Sequence, residues 1–303
     1  MQIIVLGAGA IGSLYGAKLA SANEVTLVGR AEHAAAINSH GLRVEGLEPQ
    51  VVRVRAATEI HQIGPDALIL LTTKVPGSAA ALAPIAPLIR EDTTILCLQN
   101  GLGSERIARR SLGDRGIVLR GITQFGAIFE RSGVIQYMAG GYTLVEQHER
   151  SDRVAAVLTA AGLDCRISPN IAADVWHKLV FNCVVNPITT ILGCEVGGIA
   201  NPQLEPLKRL VIDECLAVAA TQGLMFDVDF MREITEVFGT SRNIVSMLQD
   251  LRRGHQTEID YMNGAVAALG AQHDVPCPVN HALAAIIKAM EAPSLLPKKM
   301  FQT

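Results

Sequence analysis

The chain has 303 residues, of which 49% are hydrophobic and 18% charged, and it carries a formal net charge of −3. That length allows a sizeable core and favours two domains. The composition excludes a disordered protein, and the mild acidity leaves no broad basic surface for nucleic acid or anionic lipid.

The first element is "IIVLG" (3–7), a β-rich run ended by glycine. "AIGSLYGAKLA" (10–20) follows with helical character, and "EVTLVGR" (24–30) reads as a second strand. Further strands are expected at "VVRVR" (51–55), "ALILLT" (67–72), "TILCLQ" (94–99) and "GIVLRG" (116–121). Continuous apolar runs between helical segments predict a parallel sheet covered on both faces. "VIQYMA" and "YTLVEQ", with "GG" between them, predict an antiparallel hairpin that finishes the sheet.

After about residue 168 the strand-like runs vanish. Helical patterns take over at 172–192, 203–222, 228–238, 241–252, 257–272 and 279–291. "SPN" (168–170) marks a hinge. The expected architecture is α/β: an N-terminal Rossmann-type dinucleotide-binding domain over 1–168 and an all-helical domain over 169–303.

Cysteines at 97, 165, 183, 194, 215 and 277 form no C-x-x-C pair, and no His/Cys cluster has zinc spacing, so no metal is expected. Cys97, Cys183 and Cys215 sit among apolar neighbours and read as buried thiols of a reducing compartment. No apolar run reaches membrane-spanning length, and the first twenty residues lack the basic start of a signal peptide. A soluble, cytoplasmic protein is expected, and the helical domain's apolar positions leave room for a homodimer interface.

Residues 7–12, "GAGAIG", place Gly7, Gly9 and Gly12 between a strand and a helix. Gly7 permits the tight turn, Gly9 lets the backbone approach a pyrophosphate, and Gly12 lets the helix pack on the strand. The helix then offers unpaired N–H groups and a positive dipole end. The competing reading is a glycine turn without a ligand.

The second strand ends in Arg30, where NAD-selective folds usually carry an acidic residue for the ribose 2′-OH. A guanidinium there can grip a 2′-phosphate through charge-assisted hydrogen bonds of about 1.5–3 kcal/mol each. NADP(H) is therefore the expected cofactor, with Glu32 as counter-signal. Lys74 and Asn100 follow later strands at their carboxyl ends, where ligands bind in open sheets. Each also fits an ordinary loop role.

The run "WHKLVFNCVVNPITT" carries Lys178, Asn182 and Asn186 at intervals of four, just before Pro187. On a helix they form one narrow stripe, with apolar residues on the remaining faces. A helix buried nearly all round is expected to turn such a stripe toward a cleft, and Pro187 to kink it. Downstream, Ser246 and Asp250 lie four apart, and Thr257-x-x-Asp260 reads as a capping box beside Glu258.

Taken in order, "GAGAIG", "TTKV", "LQNG", "KLVFNCVVNPIT", "SMLQD", "TEIDYMNG" and "PCPVNHAL" resemble the ketopantoate reductases (2-dehydropantoate 2-reductases) over nearly the whole chain. The resemblance implies NADPH-dependent reduction of ketopantoate to (R)-pantoate, toward pantothenate and coenzyme A. It implies that Gly7, Ala8, Gly9, Ala10, Ile11 and Gly12 hold the pyrophosphate and that Arg30 contacts the 2′-phosphate. Lys74, Asn100 and Ala127 match cofactor-contacting positions. Lys178 matches the proton donor, and Glu258 a carboxylate near the nicotinamide and the substrate hydroxyl. Asn100, Lys178, Asn182, Asn186, Asn243 and Ser246 match substrate-binding positions. Two places depart from the pattern: Val196, where the family often has asparagine, and the run Val75-Pro76-Gly77 after Lys74. They leave open a reductase of another 2-oxo acid or an opine-type dehydrogenase. A non-catalytic NADP-sensing protein is the remaining alternative.

Overall fold

A computed structural model of the protein describes residues 1–292. The tail of the predicted helical domain, 293–303, lies outside the described residues. The chain divides into two compact units: Met1–Gln99 with Gly103–Ile171, and Asn100–Leu102 with the residues from Ala172 onward.

The first unit is α/β. Its strands are β1 (Gln2–Leu6), β2 (Glu24–Val28), β3 (Leu42–Gly46), β4 (Gln50–Val52), β5 (Arg55–Ala57) and β6 (Leu68–Leu71). They continue with β7 (Thr94–Cys97), β8 (Ile117–Thr123), β9 (Gly126–Arg131), β10 (Val134–Ala139), β11 (Thr143–Glu146) and β12 (Cys165–Ser168). The helices among them are α1 (Ala10–Leu19), α2 (Ala31–His40), α3 (Ser78–Leu82), α4 (Ser104–Leu112) and α5 (Ser151–Ala160). Eight strands form the main sheet in the order β12-β11-β8-β7-β6-β1-β2-β5, and β4-β3-β10-β9 form a second sheet.

In the main sheet β5, β2, β1, β6, β7 and β8 run parallel. The strand period of two sorts their side chains onto two cores. Ile3, Val5, Leu68 and Leu70 face one, while Ile4, Leu6, Ile69 and Leu71 face the other. Burying each such side chain stabilises the fold by about 1.5–3 kcal/mol. The near-continuous apolar runs seen in the sequence are what a doubly covered parallel sheet requires.

The expected hairpin does not form. β10 pairs with β9 and β3, whereas β11 pairs with β8 and β12. Each run pairs with strands of a different sheet, and the glycines carry the chain between them. Gly141 passes so close to Gln124 that a Cβ would stand 2.6 Å from its carbonyl carbon. The chain there crosses from one sheet to the other instead of turning back. "VVRVR" is likewise divided between β4 and β5, which belong to different sheets.

The second unit is helical: α6 (Ile171–Leu192), α7 (Glu205–Thr221), α8 (Phe230–Phe238), α9 (Ser246–Arg252), α10 (Asn263–Gln272) and α11 (Pro278–Met290). Its core gathers around α6, whose Leu179, Val180, Cys183 and Val184 are essentially inaccessible. α6 runs on through Pro187.

The helix expected over 241–252 begins only at Ser246. Upstream, the carbonyls of Ser241 and Asn243 accept from the N–H groups of Gly197 and Val196, which draws that stretch out of helical form. The helix expected over 257–272 is a short 3-10 turn, Ile259–Tyr261, and then α10. No reciprocal capping box forms: Thr257 Oγ1 donates to Glu291 at 2.6 Å, and Asp260 pairs with Lys288 at 2.9 Å.

Candidate functional site: a glycine loop and a polar helix stripe

The glycine loop follows β1 directly. Gly7 has φ +115°, which favours glycine, and a Cβ there would lie 2.4 Å from the Thr73 nitrogen. The N–H groups of Gly7 and Ala8 both donate to Val28 O, at 3.1 and 2.8 Å. On the other side, Thr72 Oγ1 donates to Gly7 O at 2.8 Å. The ends of β2 and β6 thus clamp the loop. At Gly12 a Cβ would stand 2.2 Å from Gly7 O, so only glycine lets α1 rise this close to the strand.

Gly9 differs from both. It is exposed, and a Cβ there would meet nothing within 4 Å. The first helical bond is from Ser13 N–H to Gly9 O, and no side chain caps α1. The N–H groups of Ala10, Ile11 and Gly12 therefore precede the hydrogen-bonded ladder, at the positive end of the helix. An open face, main-chain donors and a positive end fit the pyrophosphate of a dinucleotide.

Arg30 is exposed at the N-cap of α2. It follows Gly29, where a Cβ would lie 2.9 Å from that of Ala8. Lys74 is half-buried and leads into the 3-10 turn Val75–Gly77, directly after the Thr72–Thr73 clamp. Leu6 and Leu71 are register partners, so the glycine loop and the Lys74 loop leave adjacent strands side by side. Ala127 lies on β9 of the second sheet, opposite Tyr137 and packed against the core that also holds Ala8 and Leu14.

Three supports of this region were not singled out in the sequence: Thr72, His33 and Arg120. His33 is 3% exposed. Gly133 N–H donates to its Nδ1 at 2.9 Å, so the ring proton sits on Nε2, which faces Ser13 Oγ at 3.2 Å. Ser13 Oγ in turn donates to Ala8 O at 3.3 Å. Burial lowers the His33 pKa from its ordinary 6.5, so the ring is neutral. Arg120 is buried in β8 and donates to the carbonyls of Cys97 and Gln99, which fixes the end of β7 just before Asn100. A lone arginine inside the apolar run "GIVLRG" was the available signal for it.

In the helical unit, Lys178 and Asn182 are half-buried on α6, and Asn186 is 8% exposed. Asn186 Nδ2 lies 3.5 Å from Met262 Sδ. Asn182 Nδ2 is buried and has no hydrogen-bond partner. A buried donor left so costs about 1–3 kcal/mol, and such groups are few in native proteins.

Asn100 opens the short stretch that belongs to this unit. There, Leu102 N–H donates to Tyr261 O at 2.9 Å, and Gly101 (φ +79°) leaves no room for a Cβ against the same carbonyl. Glu258 is half-buried at the N-cap of the 259–261 turn, so the segment from Glu258 to Met262 touches both the Asn100 stretch and Asn186. Asn243 and Ser246 are exposed. Asn243 is tied by its backbone to Val196, whose side chain is buried in the helical core. Among the described residues no cluster of His, Cys, Asp or Glu could hold a metal ion. A surface hollow of about 600 Å³, lined by residues such as Arg90, Asp92 and Arg115, opens at the amino ends of β7 and β8, where sheet ligands do not bind.

Comparison with known proteins covers both units. The family model "Ketopantoate reductase PanE/ApbA" matches residues 3–150, and its C-terminal counterpart matches 170–291. The 2-dehydropantoate 2-reductase of Pyrococcus horikoshii is 38% identical over 300 residues, covering 96% of this chain and 98% of that protein. The one from Archaeoglobus fulgidus is 32% identical with the same coverage. Among solved structures, a PanE/ApbA family ketopantoate reductase from Ralstonia eutropha superposes with a TM-score of 0.89 at 30% identity, covering 96% and 98% of the two chains. A D-mandelate dehydrogenase bound to NADH and anilino(oxo)acetate gives 0.88 at 28% identity and equal coverage. With the glycine loop and the α6 stripe set in an α/β unit and a helical unit, and both family models matched in order along the chain, this protein belongs to the ketopantoate reductase family.

Proposed function

We propose that the protein reduces the 2-keto group of 2-dehydropantoate to (R)-pantoate with NADPH, a step toward pantothenate and coenzyme A. The observation that carries this reading is the α6 stripe, where the unsatisfied Asn182 Nδ2 sits between Lys178 and Asn186. Its relatives' activity supports the choice of substrate.

A dinucleotide held by the glycine loop would, when bound, supply a hydride for the keto carbon. As the carbonyl oxygen gains charge, Lys178 donates a proton to it from its ammonium group. Asn182 Nδ2, already desolvated, gains a partner when a substrate oxygen arrives, and so returns the cost of its burial. Asn186, Asn243, Ser246 and Asn100 hold the substrate carboxylate and hydroxyl, and Glu258 lies by the substrate hydroxyl and the nicotinamide.

Gly7 to Gly12 hold the pyrophosphate, with Lys74, Asn100 and Ala127 as further cofactor contacts. Arg30 selects NADPH over NADH by gripping the 2′-phosphate. Six free cysteines, five of them buried, support a cytoplasmic home. A homodimer through the helical unit completes the reading, since two-fold dimers are the commonest oligomers.

NADPH oxidation measured across a panel of 2-oxo acids tests the assignment. The highest kcat/KM is expected for 2-dehydropantoate. Preference for a bulkier aromatic 2-oxo acid, or for an oxo acid only together with an amine, would replace it by one of the alternatives. NADPH binding without turnover on any of them would make the protein a sensor.

A further inference from the structure

Pro187 stands inside α6, and its ring nitrogen carries no proton. In an unbroken helix the N–H at that position would bond to the carbonyl of Cys183, four residues earlier. Cys183 is wholly buried, so its carbonyl is out of reach of bulk solvent. The side chain of Asn263, 80 residues along the chain, does: its Nδ2 donates to Cys183 O at 2.9 Å.

Asn263 is itself held from behind. Its Nδ2 also donates to Asn280 Oδ1 at 2.9 Å, and Asn280 Nδ2 donates to Glu214 Oε2 at 2.8 Å. Asn263 and Asn280 are both completely buried. The Glu214 carboxylate, which also takes the N–H groups of Val279 and Asn280 at 2.8 and 2.9 Å, can only accept. Its position fixes the direction of both amides, and the donor end of Asn263 is forced toward α6. The neighbouring Met262 meets Asn186. Two consecutive residues thus grip α6 around its proline, one at the carbonyl that the proline leaves open and one at Asn186.

We infer that Asn263 is a positioning residue for the reaction: by filling the hydrogen bond that Pro187 removes, it sets the α6 turn that carries Asn182 and Asn186, and with them Lys178. The inference rests on the function proposed above. Asn263 touches none of the reacting atoms and acts through the helix backbone. Glu214 and Asn280 support it from α7 and α11.

A double-mutant cycle tests this directly. Asn263→Ala leaves the Cys183 carbonyl open, and kcat well below the melting temperature is expected to fall about 100-fold, the effect of an ångström-scale misplacement. The NADPH Kd should stay within about twofold, because the glycine loop is untouched. Pro187→Ala returns an N–H to the helix, so adding it to Asn263→Ala should restore kcat by about tenfold or more. A lower melting temperature with unchanged kcat of the folded enzyme would overturn the inference, as would losses that simply add in the double variant. If Asn263→Ala is insoluble, the double variant decides: soluble and active protein supports the inference, and insoluble or inactive protein overturns it. Should the wild type turn over no 2-oxo acid, the proposed function falls, and amide hydrogen exchange in α6 decides the positioning role by itself. Exchange that quickens in Asn263→Ala and slows again in the double variant supports it; unchanged exchange overturns it.

Discussion

The glycine loop and the α6 stripe hold their working groups in opposite ways. The loop is made of main chain: N–H groups ahead of the α1 ladder, an open face at Gly9, and clamps at Val28 O and Thr72. The stripe is made of side chains on a helix whose own backbone is incomplete at Pro187 and is repaired by Asn263. A main-chain site tolerates almost any side chain except where space is missing or where the open ligand face would be filled. A side-chain site depends on residues far away in sequence that keep its helix in place.

Breaking each half in turn sharpens that contrast. The largest effect is expected from Lys178→Ala, which should lower kcat by about 10²–10⁴-fold while leaving the NADPH Kd unchanged. Steady-state kinetics with fluorescence titration of NADPH checks both numbers. Next comes Gly9→Val. A Cβ there has nothing within 4 Å, so the melting temperature should hold, yet the side chain fills the face that a pyrophosphate would approach. Losing two or more charge-assisted bonds should weaken NADPH about 100-fold or more. Gly12→Ala, by contrast, drives a methyl group into Gly7 O and should lose stability as well, by about 1–3 kcal/mol.

A smaller effect is expected at Arg30. Arg30→Ala should weaken NADPH about 10- to 100-fold and leave NADH nearly unchanged, which paired Kd measurements would read. Equal losses for both cofactors would take the 2′-phosphate role away from it.

The smallest effect concerns His33, the link between α2 and the loop through Ser13. Its pKa is lowered by burial, so below its ordinary 6.5 the unfolded chain binds a proton that the folded chain refuses. Stability is therefore complete above that pH and falls as the solution is acidified through it, until the folded ring also protonates. Melting curves between pH 8 and about pH 5 should show this decline, and His33→Gln should flatten it. A decline of the same slope in the variant would assign it to other groups.

The same contrast explains what could be read from the sequence. "GAGAIG" is contiguous and has few uses between a strand and a helix, so both the loop and its strand-turn-helix setting were legible. The stripe was legible too, because three polar residues at intervals of four in an apolar run fall on one line of a buried helix. Its supports were not. Asn263 bonds to a carbonyl 80 residues away and Asn280 to a carboxylate 66 residues away, and neither partner is marked locally. The false hairpin failed for a related reason. "GG" between two β-rich runs is a good local turn signal, but each run found better partners in a different sheet. Likewise, the helical pattern at 241–245 gave way to backbone bonds with Val196 and Gly197, and the Thr257 capping box to a bond with Glu291.

The division of labour between loop and stripe is tested most directly by mixing NADPH-loaded protein with one equivalent of 2-dehydropantoate and following cofactor fluorescence. Wild-type protein should consume its bound NADPH, Lys178→Ala should keep it bound and unconsumed, and Gly9→Val should show no bound cofactor at the outset. Consumption by Lys178→Ala at the wild-type rate, or none by the wild type, would contradict the account.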